Sequence, residues 1–175
     1  MKYSDLRAID FKWYDLKGSI DTLKNEYGLN APDSVMQQFY IDHSDKEKFI
    51  SLYGELELHR LKWTLKSVPT NELISIGNAA THPEFMHERA LDASYFSKWS
   101  YAVISRNEKI AAHWQTHGTW LVPPIFINGA LLNPQSNSLH LAEGHSRLGC
   151  LMGLAKHNII VLPPEHYIYY GDYVE

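Results

Sequence analysis

A single cysteine, Cys150, leaves this chain no internal disulfide and no multi-cysteine zinc site. No uninterrupted apolar stretch approaches the roughly 20 residues that span a bilayer. The opening MKYSDLRAIDFKWYDL has no apolar signal-peptide core, so a cytoplasmic location is expected. Positive charge is also scarce, with 16 Lys and Arg against 20 Asp and Glu, a net charge of −4 with the ten histidines neutral. Backbone contacts to nucleic acid rely on clustered Lys and Arg, and no basic stripe is visible. Duplex DNA, RNA and anionic membranes are therefore poor electrostatic partners. Internal repeats and low-complexity segments are absent.

What is present is ordinary globular material, 45% hydrophobic in a chain of 175 residues, enough to bury a sizeable core. Aromatics make up 13%, with 11 Tyr and 5 Trp, residues that favour interfaces as well as cores. The first 57 residues read as a helical extension. A helix is predicted around Ser19–Tyr27. In APDSVMQQFYIDH, Asp33 or Ser34 is placed to cap a helix whose apolar face is Val35, Met36, Phe39 and Tyr40. Ser44 and Glu47 have capping-box spacing ahead of Phe49, Ile50 and Tyr53.

From residue 58 to 175 the pattern is that of a sheet domain. Leu58, Leu61, Trp63 and Leu65 leave a mostly two-residue alternation, hence a strand. TNELISIG is a short helix or turn. Residues 82–118 read as helix over much of their length, ending at Gly118. Pro123 and Pro124 cannot sit inside a ladder, so they precede the strand in TWLVPPIFING. NGALLNPQSNS is expected to hold two turns around a short edge strand. LHLAE is a strand, HSRLGCLMGLAKH a helix, and NIIVLPPEHYIYYGD a last strand pair interrupted by Pro163-Pro164. The expected class is α+β, a mixed sheet with helices packed on it.

The chemistry concentrates at a strand-to-helix junction, Glu143-Gly144-His145-Ser146-Arg147. Gly144 lets backbone approach a ligand closely. The first turn of a helix leaves N–H groups unpaired, and its dipole favours an anion. Ser146 adds a hydroxyl, Arg147 a guanidinium able to grip an anion with two hydrogen bonds, and His145 a proton carrier near neutral pH. These parts suit a phosphate or a carboxylate. An ordinary turn, with Arg147 paired to Glu143 and His145 solvated, uses the same residues.

SVPTNELI, HGTWLVPPIFING, LHLAEGHSRLGCLMGL and IIVLP, in that order, resemble the ParB/sulfiredoxin-like domain over roughly residues 58–170. That resemblance implies a mixed sheet with packed helices, a G-x-x-R segment that binds nucleotide phosphates, and a Pro-Pro strand forming a wall of the pocket. Gly144 and Arg147 carry over as phosphate-binding residues, with the intervening amides, and Ser146 joins them by its hydroxyl. Pro123 and Pro124 carry over as pocket residues. Arg89 in HERAL is the nearest match to the family's more N-terminal arginine, and His87 beside it is a further pocket candidate. The implied ligand is a nucleotide such as ATP or CTP with magnesium. Sulfiredoxins place a reactive cysteine after the glycine where this chain has His145. ParB partition proteins carry G-E-R-R and a DNA-binding helix-turn-helix, against G-H-S-R here and no such segment in these residues.

Other constellations carry weaker signals. His113 and His117 have the i, i+4 spacing of a metal pair, but no third ligand follows from spacing and no metal is expected. His82, Glu84, His87 and Glu88 form a polar cluster at a helix start. Trp114 and Trp120 read as core rather than as stacking platforms, and Cys150 as a small core residue. YIYYGDYVE reads as an edge strand or an aromatic contact surface.

Two functions fit. The first is nucleotide or phosphate binding, extending to weak phosphohydrolysis with His145 as acid–base group and Glu143 orienting it or a metal-bound water. The second is an immunity protein or antitoxin that binds and blocks a partner toxin, suited to a small acidic chain with a thinned-down site. Nuclease-like activity is the least favoured, because of the charge.

Overall fold

The computed structural model describes residues 1–12, 14–78, 83–95 and 107–173. Its fold is α+β. A four-stranded mixed sheet in the order β1-β4-β2-β3 is built from β1 (Leu61–Pro69), β2 (Ile125–Ile127), β3 (His140–Glu143) and β4 (Glu165–Tyr173). β2 pairs antiparallel with β3, placing Phe126 opposite Leu141 and Ile127 opposite His140, with a register shift beside Ile125. It pairs parallel with β4, placing Ile125 opposite Tyr169 and Ile127 opposite Gly171. The helices are α1 (Leu16–Asn25), α2 (Asp33–Val35), α3 (Glu47–Tyr53), α4 (Thr70–Asn78), α5 (Pro83–Ser94), α6 (Glu108–His117) and α7 (His145–His157). No helix among the described residues is long and apolar enough to cross a membrane.

The chain packs as two compact units, one of residues 1–65, 125–143 and 169–175, the other of residues 66–124 and 144–168. The segment read as an N-terminal extension thus shares a core with β2 and β3. In this first unit a 3-10 helix, Tyr3–Ala8, places Tyr3 and Leu6 at the centre of an aromatic cluster. The Tyr3 ring lies 4.9 Å from Phe39 and 6.0 Å from Tyr53. Polar tips inside the cluster are paired, as burial requires. The Tyr3 hydroxyl donates to the Phe39 carbonyl at 2.7 Å, and the Trp63 indole donates to the Tyr40 hydroxyl at 3.0 Å.

In the second unit α7 is the central helix. Its Leu148, Leu151 and Leu154 are fully buried, as are Leu73 of α4 and Met86 of α5. α5 lies almost on the backbone of α7, because a Cβ at Gly153 would run into the carbonyl oxygen of Ala90. α6 ends where expected, with Gly118 at φ 65° and its N–H donating to the Trp114 carbonyl at 2.8 Å. Trp114 and Trp120 meet edge to face at 5.9 Å, and the Trp120 indole donates to the Tyr167 carbonyl at 2.7 Å, so both are core residues.

Several expectations need correction. The helix at residue 33 is capped neither by Asp33 nor by Ser34. Its cap position is Pro32, Asp33 pairs with Lys24, and the helix continues as a π-helix over Met36–Ile41. Ser44 makes no capping box, since Lys46 is the cap residue of α3 and the Ser44 hydroxyl donates to the Ile41 carbonyl at 3.1 Å. β1 begins at Leu61 and runs to Pro69, leaving Leu65 exposed. Where a short edge strand was expected after Asn128, a 3-10 turn (Gly129–Leu131) forms, with the Ala130 N–H donating to the Asn128 side-chain oxygen at 3.1 Å. Residues 158–164 form no strand, and β4 lies between β1 and β2 rather than at an edge.

Candidate anion site at the start of α7

Four of the expected site residues come together in the second unit: Pro123, Pro124, Gly144 and Arg147. Gly144 is the N-cap residue of α7, at φ 110° and ψ 21°, a conformation that side chains on Cβ disfavour. A Cβ there would sit 2.5 Å from the Pro124 Cβ and 3.1 Å from the Arg147 Nε. The glycine backbone is therefore pressed between the proline corner and the guanidinium. Arg147 Nη1 donates to the Val122 carbonyl at 3.0 Å and, at the limit of hydrogen bonding, to the Pro123 carbonyl at 3.4 Å. These bonds fix the first turn of α7 to the Pro-Pro corner. They also occupy part of the guanidinium that the sequence offers to an anion.

The remaining groups of G-H-S-R differ in exposure. Ser146 is exposed on the first turn of α7, whereas His145 and Arg147 are half-buried. α7 has no side-chain cap at its N-terminus, and Lys156 and His157 occupy its last turn, where positive charge complements the dipole. Glu143, the last residue of β3, belongs to the first unit and stands opposite Ile125. Its effects are felt there. Burial foremost, and then the Glu143 carboxylate, raises the phenol pKa of Tyr53. Burial likewise raises the Asp42 carboxyl, with Lys46 opposing and Glu143 adding to the shift.

His87 and Arg89 are on α5, which packs against α7 beyond its first turn. Arg89 packs its Cβ against Gly149, pairs with Asp92 at 2.7 Å and stacks its guanidinium 5.6 Å from the Phe85 ring centroid. At 1.5 Å per residue, Gly149 is about 6 Å along the helix from His145. His87, with Glu84 and Glu88, lines a groove of about 820 Å³ whose other wall includes Met152, Lys156 and His157. That groove belongs to the far end of α7. His82 lies outside the described residues.

His113 and His117 do face each other, with ring centroids 4.4 Å apart, and burial followed by the His117 charge lowers the His113 pKa. Among the described residues no group of three or more His, Cys, Asp or Glu could hold a metal. Cys150 is buried, and burial pushes its thiol up to about 12, far from the thiolate that reactive cysteines need.

Two histidine arrangements were not visible in the sequence. His166 on β4 is 1% exposed, with Nδ1 2.8 Å from the Thr119 hydroxyl. His140 on β3 lies between the Tyr53 hydroxyl, 2.9 Å from Nε2, and the Ser136 hydroxyl, 3.0 Å from Nδ1. Partners 47 and 87 residues apart leave no spacing signal.

No family model, curated protein or solved structure matches the chain.

Proposed function

We propose that this chain is a nucleotide- or phosphate-binding protein of ParB/sulfiredoxin-like type, receiving the anion at the start of α7. The observation that carries this reading is the thirteen-residue helix α7 beginning without a side-chain cap at Gly144, with the Arg147 guanidinium beside that glycine. The positive end of the helix dipole favours an anion, and the exposed Ser146 hydroxyl adds a donor at the rim. Arg147 contributes charge from a position braced by the Val122 and Pro123 carbonyls. A magnesium ion would arrive with the nucleotide and neutralise its phosphates. His145 is the acid–base group nearest a bound phosphate, so hydrolysis is a second assay and binding the first.

The experiment is thermal unfolding with ATP, CTP, GTP, ADP and pyrophosphate, with and without magnesium, on wild type and Arg147→Ala. Ligand at a hundred times Kd stabilises a protein by about 2.7 kcal/mol. In a chain of this size that raises Tm by roughly 5–10 °C. The shift should be absent in Arg147→Ala, measured against that variant's own lower baseline. No shift for any of these ligands contradicts the proposal.

A further inference from the structure

We propose that Ser136 is a reactive hydroxyl nucleophile, with His140 as its base and Tyr53 as the positioning residue, and that it takes the acyl group of an activated carboxylic ester. All three residues lie in the first unit, apart from the residues proposed to bind phosphate. The geometry is a nucleophile in hydrogen-bond reach of a base that a third group holds in place. Ser136 Oγ is 3.0 Å from His140 Nδ1, and His140 Nε2 is 2.9 Å from the Tyr53 hydroxyl.

Exposure matches the roles. Ser136 is exposed to incoming reagent, while His140 is 7% and Tyr53 3% exposed. Burial holds the imidazole below its ordinary range, so it is neutral and able to accept a proton at pH 7. The loop carrying Ser136 is pinned. Ser136 N–H donates to the Gly129 carbonyl at 2.9 Å, and a Cβ on Gly129 would stand 2.8 Å from the Ser136 carbonyl oxygen. Leu132 and Leu139 anchor the loop in the core on either side.

In the productive tautomer Nδ1 accepts the serine proton and Nε2–H donates to the tyrosine oxygen. The serine oxygen then bonds to the ester's carbonyl carbon, and its proton passes to Nδ1. The alcohol leaves carrying that proton. Water, deprotonated by the same imidazole, releases the carboxylic acid and restores the serine. In the opposite tautomer Tyr53 donates to Nε2, His140 donates to Ser136, and the serine is an ordinary one.

The full-length chain should be treated with a fluorophosphonate probe, from which the serine displaces fluoride, and with p-nitrophenyl acetate, with adducts located by mass spectrometry. The expected result is one adduct, on Ser136, absent in Ser136→Ala. In His140→Gln the labelling rate should fall about 100-fold, the scale of a lost general base. In wild type the rate should rise with pH through a midpoint below 6.5, the ordinary histidine value. Labelling of Ser136 no faster than of other exposed serines overturns the proposal. So does a wild-type rate with no such midpoint, a result that does not depend on whether His140→Gln folds.

Discussion

Acid should destabilise this fold through His166 in a defined window. The ring is 1% exposed, Nδ1 faces the Thr119 hydroxyl at 2.8 Å, and Trp120 covers it with ring centroids 4.9 Å apart. Nε2 is buried with no hydrogen-bond partner among the described residues. Protonation would bury a charge and leave its N–H unanswered, and burial accordingly holds the group down at about 4 against an ordinary 6.5. An unfolded chain takes up the proton near 6.5, and the folded chain resists until about 4. Between those values the unfolded state binds more protons, so stability falls as the pH falls. The contribution is complete above 6.5 and fully lost below about 4. A gap of about 2.5 pH units at about 1.4 kcal/mol each amounts to about 3 kcal/mol. Urea unfolding of wild type and His166→Gln at several pH values between 7 and 4 measures it. The stability difference between the two proteins should shrink by about 3 kcal/mol across that range. His140, also lowered by burial, loses stability in the same direction but in both proteins, and so cancels. A difference that stays constant with pH, or an NMR midpoint for His166 at 6 or above, would refute the reasoning.

Two further outcomes test the packing of the second unit. Gly153→Ala drives a methyl into the Ala90 carbonyl, which helix separation must relieve. It should cost about 1–3 kcal/mol, visible as a lower Tm, and an unchanged Tm would mean that α5 and α7 are not in backbone contact. Cys150, buried and held up near 12, should react with a thiol reagent only on unfolding. Full reaction of the native protein within seconds would place that thiol at the surface.

Much of the architecture was legible where local chemistry decides it. HSRLGCLMGLAKH after Gly144 is α7, Gly118 ends α6 in the left-handed region, and Pro123-Pro124 precede β2. Two of the capping expectations failed for one cause: the side chain was claimed by another partner. Asp33 was taken by Lys24, and Ser44 turned back to the Ile41 carbonyl. The Tyr-rich tail alternates as an edge strand would, but alternation says nothing of neighbours, and β4 pairs with β2 on the inside of the sheet. Asn128 nucleated a 3-10 turn instead of letting the next residues extend. The same limit applied to chemistry. G-H-S-R could be singled out because its parts are consecutive, whereas Tyr53 joins the Ser136–His140 pair only once α3 and β3 are folded together. What the sequence could not foretell about Arg147 is that two backbone carbonyls already hold it.

Amide NMR of the 15N-labelled chain, titrated with ATP, CTP and pyrophosphate with and without magnesium, tests the phosphate-binding account most directly. The account predicts saturable shifts of the His145, Ser146 and Arg147 amides, larger than elsewhere and weakened by salt. Unmoved amides at those three positions under millimolar ligand, or a saturable response centred on other residues, would contradict it.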